Sequence, residues 1–141
     1  MRRRVYSEIN LHFTWHVKES LPIITEAIED RLHRYIVNYA LQTKGVFIHE
    51  INGTETHVHL VVTIPPTVLI SEWIGKIKGA SSHHINHEIA NRKLLDWQDG
   101  YGVVTFGTRD LPWVIEYVRN QKEHHARGTT HDRLEKVDDE G

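Results

Sequence analysis

Two stretches of strict alternation force part of this chain into a sheet with two chemically different faces. Within residues 5–17, Leu11, Phe13, Trp15 and Val17 fall on one side, and Asn10, His12, Thr14 and His16 on the other. Within residues 57–64, Val58, Leu60, Val62 and Ile64 share one side, and His57, His59, Val61 and Thr63 the other. A period of two is the signature of a strand with one buried face. The apolar side must lie under whatever covers the sheet. Both histidine-bearing sides then belong to the opposite face.

Helical spacing links these strands. Thr25 is placed to cap a helix running to about Gln42, with Ile28, Leu32, Tyr35, Ile36 and Tyr39 recurring along it, and Gly45 follows its end. Val46–Ile51 reads as a second strand joined to the third through an Asn52-Gly53 turn. Pro65-Pro66 stops the third strand, and Thr67 or Ser71 opens a second helix to about Asn91. Residues 101–107 give a fourth strand. Asp110 and Pro112 start a last helix to about His125. The order predicts an α+β protein: a ferredoxin-like βαββαβ antiparallel sheet with both crossover helices on one face and an additional C-terminal helix, which carries Tyr117, near the other. Residues 1–126 read as one domain, and residues 127–141 as a polar, acidic tail that frays.

The chain has no cysteine, so thiolate metal sites and cysteine nucleophiles are excluded, and soft-metal chemistry must fall to its 12 histidines. No apolar run approaches the roughly 20 residues that span a bilayer. With no signal-like segment, a cytoplasmic protein without a membrane partner is expected. The net charge of −2 does not mark a nucleic-acid binder. Five acids and two bases lie in residues 132–141, and without them the balance is 15 basic to 14 acidic, or +1.

His57 and His59, at i and i+2 on a strand, project in parallel and suit chelation of one ion. A lone His-x-His pair more often decorates a solvated sheet face. Tyr117 and Gln121 lie i, i+4 on the last helix, a spacing that by itself is ordinary packing. Together the four make a compact nucleophile site: two imidazoles and an amide oxygen on a cation, with a phenol beside it.

These residues resemble a known family. His57-Val58-His59 is similar to the His–hydrophobe–His motif of HUH nucleases, and the later Tyr-x-x-x-Gln to the catalytic helix of their single-tyrosine transposases, the TnpA-type and REP-associated tyrosine transposases of insertion sequences. The segments 10–15, 64–66, 78–82, 97–102 and 117–125 resemble the same family, in its order, over roughly residues 8–126. The resemblance implies His57, His59 and Gln121 as ligands of a divalent metal, Mg²⁺ or Mn²⁺, with Tyr117 as the nucleophile. It implies cleavage and rejoining of single-stranded, hairpin-associated DNA through a covalent 5′-phosphotyrosine, and a homodimer. The ligand types alone suit Mn²⁺, Co²⁺, Ni²⁺ or Zn²⁺ equally.

Lys76, Lys78, Arg119 and Lys122, with Arg92, Lys93, Arg109 and Arg2–Arg4, are candidate phosphate contacts. Trp73, Trp97, Tyr101 and Trp113 are candidates for stacking on bases or for the core. His12 is a possible support for the metal site. The competing readings are a domesticated repeat-processing nuclease of the same fold and a non-catalytic hairpin-binding module. A zinc hydrolase built on His57 and His59 is disfavoured because the sequence puts neither a carboxylate nor a third histidine in an obvious ligand position.

Overall fold

The computed structural model describes residues 5–138; Arg2–Arg4 and residues 139–141 of the tail lie outside the described residues. Four strands, β1 (Ile9–His16), β2 (Phe47–Gly53), β3 (His57–Ile64) and β4 (Gly102–Phe106), form one antiparallel sheet in the order β2-β3-β1-β4. Helices α1 (Glu26–Ala40) and α2 (Ile70–His84) connect them. This is the expected ferredoxin-like pattern, with β1 and β3 adjacent.

Alternate residues of β1 and β3 face opposite sides of the sheet, as their period of two predicts. Leu11, Phe13, Trp15, Val58, Leu60 and Val62 are fully buried against Ile28, Leu32 and Ile36 of α1 and Ile74 and Ile77 of α2. Trp73 and Trp97 join this core, and Tyr101 packs against it. The opposite face is covered as well. Val61 is buried in a second cluster with Val114, Tyr117, Val118 and Leu134.

The second face is covered by α3 (Leu111–Arg119), α4 (Gln121–Arg127) and a single turn, α5 (Asp132–Glu135). The single last helix expected from the sequence is therefore two, broken at Asn120, whose φ of −100° and ψ of 25° are not helical. The tail after Arg127 does not fray along residues 132–135: Leu134 is buried, Arg133 Nη2 donates to the Thr105 carbonyl at 2.5 Å, and a Cβ at Gly102 would collide with the Lys136 carbonyl. One apolar side chain in a polar segment is enough to pin it to the sheet.

Two other boundaries differ. The β2–β3 turn falls at residues 54–56, closed by Thr54 N–H donating to the His57 carbonyl at 3.1 Å, and Asn52-Gly53 ends β2 instead of forming the turn. Gly53 is required by close packing, because a Cβ there would strike the His57 carbonyl oxygen. The second helix ends at His84 and passes into a wider turn over Ile85–Ile89, short of Asn91.

Candidate active site

The buried polar row of the sheet builds the site. Asn10, His12 and Thr14 of β1 and His57 and His59 of β3 are each at most 3% exposed. Pairing sets His59 opposite Thr14 and His57 opposite His16. Toward the other end of the row the polar groups satisfy one another: His49 Nε2 meets Thr63 Oγ1 at 2.7 Å, and Thr63 donates to Asn10 Oδ1 at 2.6 Å.

Each site imidazole is held by its Nδ1. That of His57 lies 2.9 Å from both Thr54 Oγ1 and Thr56 Oγ1, and that of His59 lies 2.7 Å from His12 Nε2. With a cation bound, each ring would carry its proton on Nδ1, donating to these partners, and turn its Nε2 lone pair to the ion; without one, a proton on Nε2 faces Glu135. Both Nε2 atoms are buried without a hydrogen-bond partner, as is Gln121 Oε1. Burial pushes His59 down to about 4 and holds His12 well below its ordinary value, so both rings are neutral near pH 7.

The last three helical segments meet this pair. Glu135 Oε1 lies 3.4 Å from His57 Nε2, 3.2 Å from His59 Nε2 and 3.2 Å from His125 Nε2. The first two contacts are within ion-pair range but are not aligned as hydrogen bonds. Its other oxygen accepts a short hydrogen bond from the Tyr117 hydroxyl and one from Gln121 Nε2 at 3.3 Å. Burial alone would raise the Glu135 carboxyl, but His57 and His59 outweigh it and hold the group well below the usual carboxylate range. Tyr117 is pushed up to about 12, by burial first and then by the bond to Glu135. Its hydroxyl also accepts from the His131 amide at 2.8 Å, and its ring stacks with those of Trp113 and His124.

Four residues expected from the sequence, His57, His59, Tyr117 and Gln121, thus converge on one carboxylate, with His12 behind His59. Tyr117 and Gln121 do so from two helices, not from one continuous face. Both Nε2 atoms face the Glu135 carboxylate, and His57, His59, His125 and Glu135 form a group that could hold a metal ion, with the unpartnered Gln121 Oε1 buried on the neighbouring helix. The sequence reading missed Glu135 and His125, and with them the carboxylate and third histidine it found lacking. Leu134, a lone apolar residue beside Glu135, was the available signal. Thr54 and Thr56 were hidden by the misplaced turn.

The candidate DNA contacts do not gather at the site. Lys76 pairs with Glu72 at 3.1 Å and Arg119 with Glu50 at 2.9 Å. Lys122 bonds Glu29 and Asn52 at 2.9 and 2.8 Å. Lys78 donates to the carbonyls of Gln98 and Gly100, both at 2.8 Å, tying down the loop before β4. Trp113 is 49% exposed beside Tyr117, whereas Trp73 and Trp97 are buried.

Residues 5–121 match the family model described as Transposase IS200 like. A transposase for insertion sequence element IS200 from Salmonella typhimurium is 28% identical over 98 residues, covering 66% of this chain and 64% of that protein, so the match spans less than two thirds of the relative. The ISDra2 transposase TnpA of Deinococcus radiodurans is 22% identical over 119 residues, covering 81% and 84% of the two chains. Among solved structures, a candidate transposase from Deinococcus radiodurans has a TM-score of 0.67 at 20% identity, covering 86% of this chain and 96% of that one. A REP-associated tyrosine transposase bound to a REP hairpin has a TM-score of 0.64 at 17% identity, covering 92% and 75%. The chain belongs to the IS200-like transposase family, the single-tyrosine HUH class that its histidine strand and tyrosine helix resemble.

Proposed function

We propose that this protein cleaves and rejoins single-stranded DNA at hairpin-associated sites, with Tyr117 as nucleophile, and so acts in DNA transposition. The observation that carries this reading is the convergence of the Tyr117 hydroxyl, the Nε2 atoms of His57 and His59 and the Gln121 amide on one carboxylate, that of Glu135.

His57, His59 and Gln121 would hold a divalent cation, Mg²⁺ or Mn²⁺ in the family reading, which polarises the scissile phosphate and offsets the charge that builds on it. The chain does the rest. Thr54 and Thr56 fix the His57 ring and His12 fixes that of His59. Tyr117 must exchange Glu135 for the phosphodiester. Its oxygen then bonds to phosphorus as the bond to the 3′ oxygen breaks; the phenol gives up its proton and the departing 3′ hydroxyl gains one. The 5′ phosphotyrosine conserves the bond, so a second 3′ hydroxyl reverses the step without ATP. The reading also includes a homodimer acting in the cytoplasm. No described helix is long and apolar enough to cross a membrane.

The test is to incubate the protein with labelled single-stranded hairpin DNA and Mg²⁺ or Mn²⁺ and run a denaturing gel. A labelled band at protein size, lost in Tyr117→Phe and with chelator, is expected. Hairpin binding with no adduct, across the flanking DNA of the element, would leave a binding module in place of an enzyme.

A further inference from the structure

The cation site has more ligands than the strand pair and Gln121 supply. One ligand atom each from His57, His59, His125 and Glu135 lies within 4.8 Å of all the others. Glu135 Oε1 is 3.4, 3.2 and 3.2 Å from the three Nε2 atoms. Four ligands at about 2.0–2.1 Å around a tetrahedral ion are separated by roughly 3.3–3.4 Å. The three separations from Glu135 Oε1 match this value, and the imidazole nitrogens, within 4.8 Å of one another, are close enough to draw in around a common ion.

Two further observations point the same way. His57 and His59 are at most 2% exposed, and their Nε2 atoms lack hydrogen-bond partners. Glu135 is delivered by a packed element, secured by Leu134, by the Arg133 bond to the Thr105 carbonyl and by the tail backbone against Gly102. Gln121 Nε2 braces the carboxylate through its second oxygen.

Building on the proposed cation at His57 and His59, we propose that in the DNA-free protein His125 and Glu135 complete a three-histidine, one-carboxylate site, with Gln121 bracing the carboxylate, that selects a transition-metal ion of the Zn²⁺, Co²⁺ and Mn²⁺ class over Mg²⁺. Three imidazoles suit such borderline ions, whereas Mg²⁺ requires near-octahedral oxygen ligands and keeps its waters. The carboxylate also removes one unit of the ion's charge, which two imidazoles and an amide would leave intact.

The test is calorimetric titration of the metal-free full-length protein with Zn²⁺, Mn²⁺ and Mg²⁺, together with the visible spectrum of the Co²⁺ form. One site is expected, with Zn²⁺ bound more tightly than Mg²⁺ by on the order of 100-fold or more. Glu135→Gln and His125→Ala should each weaken Zn²⁺ binding by about 10–100-fold and change the Co²⁺ band, with the far-ultraviolet circular dichroism unchanged. Wild-type affinity and spectrum in both variants, while His59→Ala loses the ion, would overturn this proposal and leave the proposed function standing. Undiminished binding in His59→Ala would overturn both.

Discussion

His12 makes no contact with any group expected to touch DNA, yet its replacement should weaken metal binding. Its Nε2 sits 2.7 Å from His59 Nδ1 in a pair that is at most 1% exposed. In His12→Leu the metal-free protein can escape the loss, because His59 can move its proton to Nε2 and face Glu135. The metal-bound form cannot, since Nε2 is then a ligand and the Nδ1 proton is left buried without an acceptor. An unmet donor of this kind costs about 1–3 kcal/mol. Because the cost falls on the bound form alone, it should appear as a loss of affinity of about 10–100-fold, the range found when such supporting partners are removed. Calorimetry on metal-free protein measures it, with a urea melt to establish that folding is retained. His12→Gln, which keeps an acceptor at similar reach, should recover most of the affinity. A folded His12→Leu protein that binds the ion as tightly as wild type would refute the assigned tautomer and with it the support role of His12.

Other substitutions test neighbouring links. Gly53→Ala drives a methyl group against the His57 carbonyl and should displace that ring, lowering metal affinity while overpacking costs about 1–3 kcal/mol in a chemical melt. Unchanged affinity would mean that the turn does not position His57. Lys78→Met removes two charge-assisted bonds to the Gln98 and Gly100 carbonyls and should destabilise the fold by about 1–2 kcal/mol, discounted for partial exposure, without changing the salt dependence of DNA binding. A reduced salt slope would restore it as a phosphate contact. Gly102→Ala puts a methyl group into the Lys136 carbonyl and should release the tail, making residues 129–138 sensitive to limited proteolysis; continued protection would contradict the packing described.

Much of this site was legible in the sequence because a sheet has a period of two. Four alternating apolar residues in β3 fixed the direction of His57 and His59, and the same parity in β1 brought His12 to the neighbouring position. Buried alternation is a strong constraint, since a slip of one residue would expose the whole apolar set. The parts that were not legible depend on tertiary packing. Asn120 ends α3 between two helical segments with no glycine or proline beside it, so the break left no mark on the sequence. The Asn52-Gly53 pair reads as a turn by chemistry, yet Gly53 is needed for close approach of two backbones, a constraint set by the neighbouring strand. Glu135 lies in an acidic segment where one carboxylate looks like the next. Only the burial of Leu134 distinguishes it.

In the proposed mechanism the imidazoles of β3 and the phenol and amide of the last helices gather around one cation. Anomalous diffraction from crystals grown with Mn²⁺ tests this directly. A single strong peak within about 2.0–2.3 Å of His57 Nε2 and His59 Nε2, on the side facing Tyr117, is the expected result. Ordered density for both imidazoles with no peak between them, and the ion held instead by the stacked His83–His87 pair of the second helix and its following turn, would contradict it.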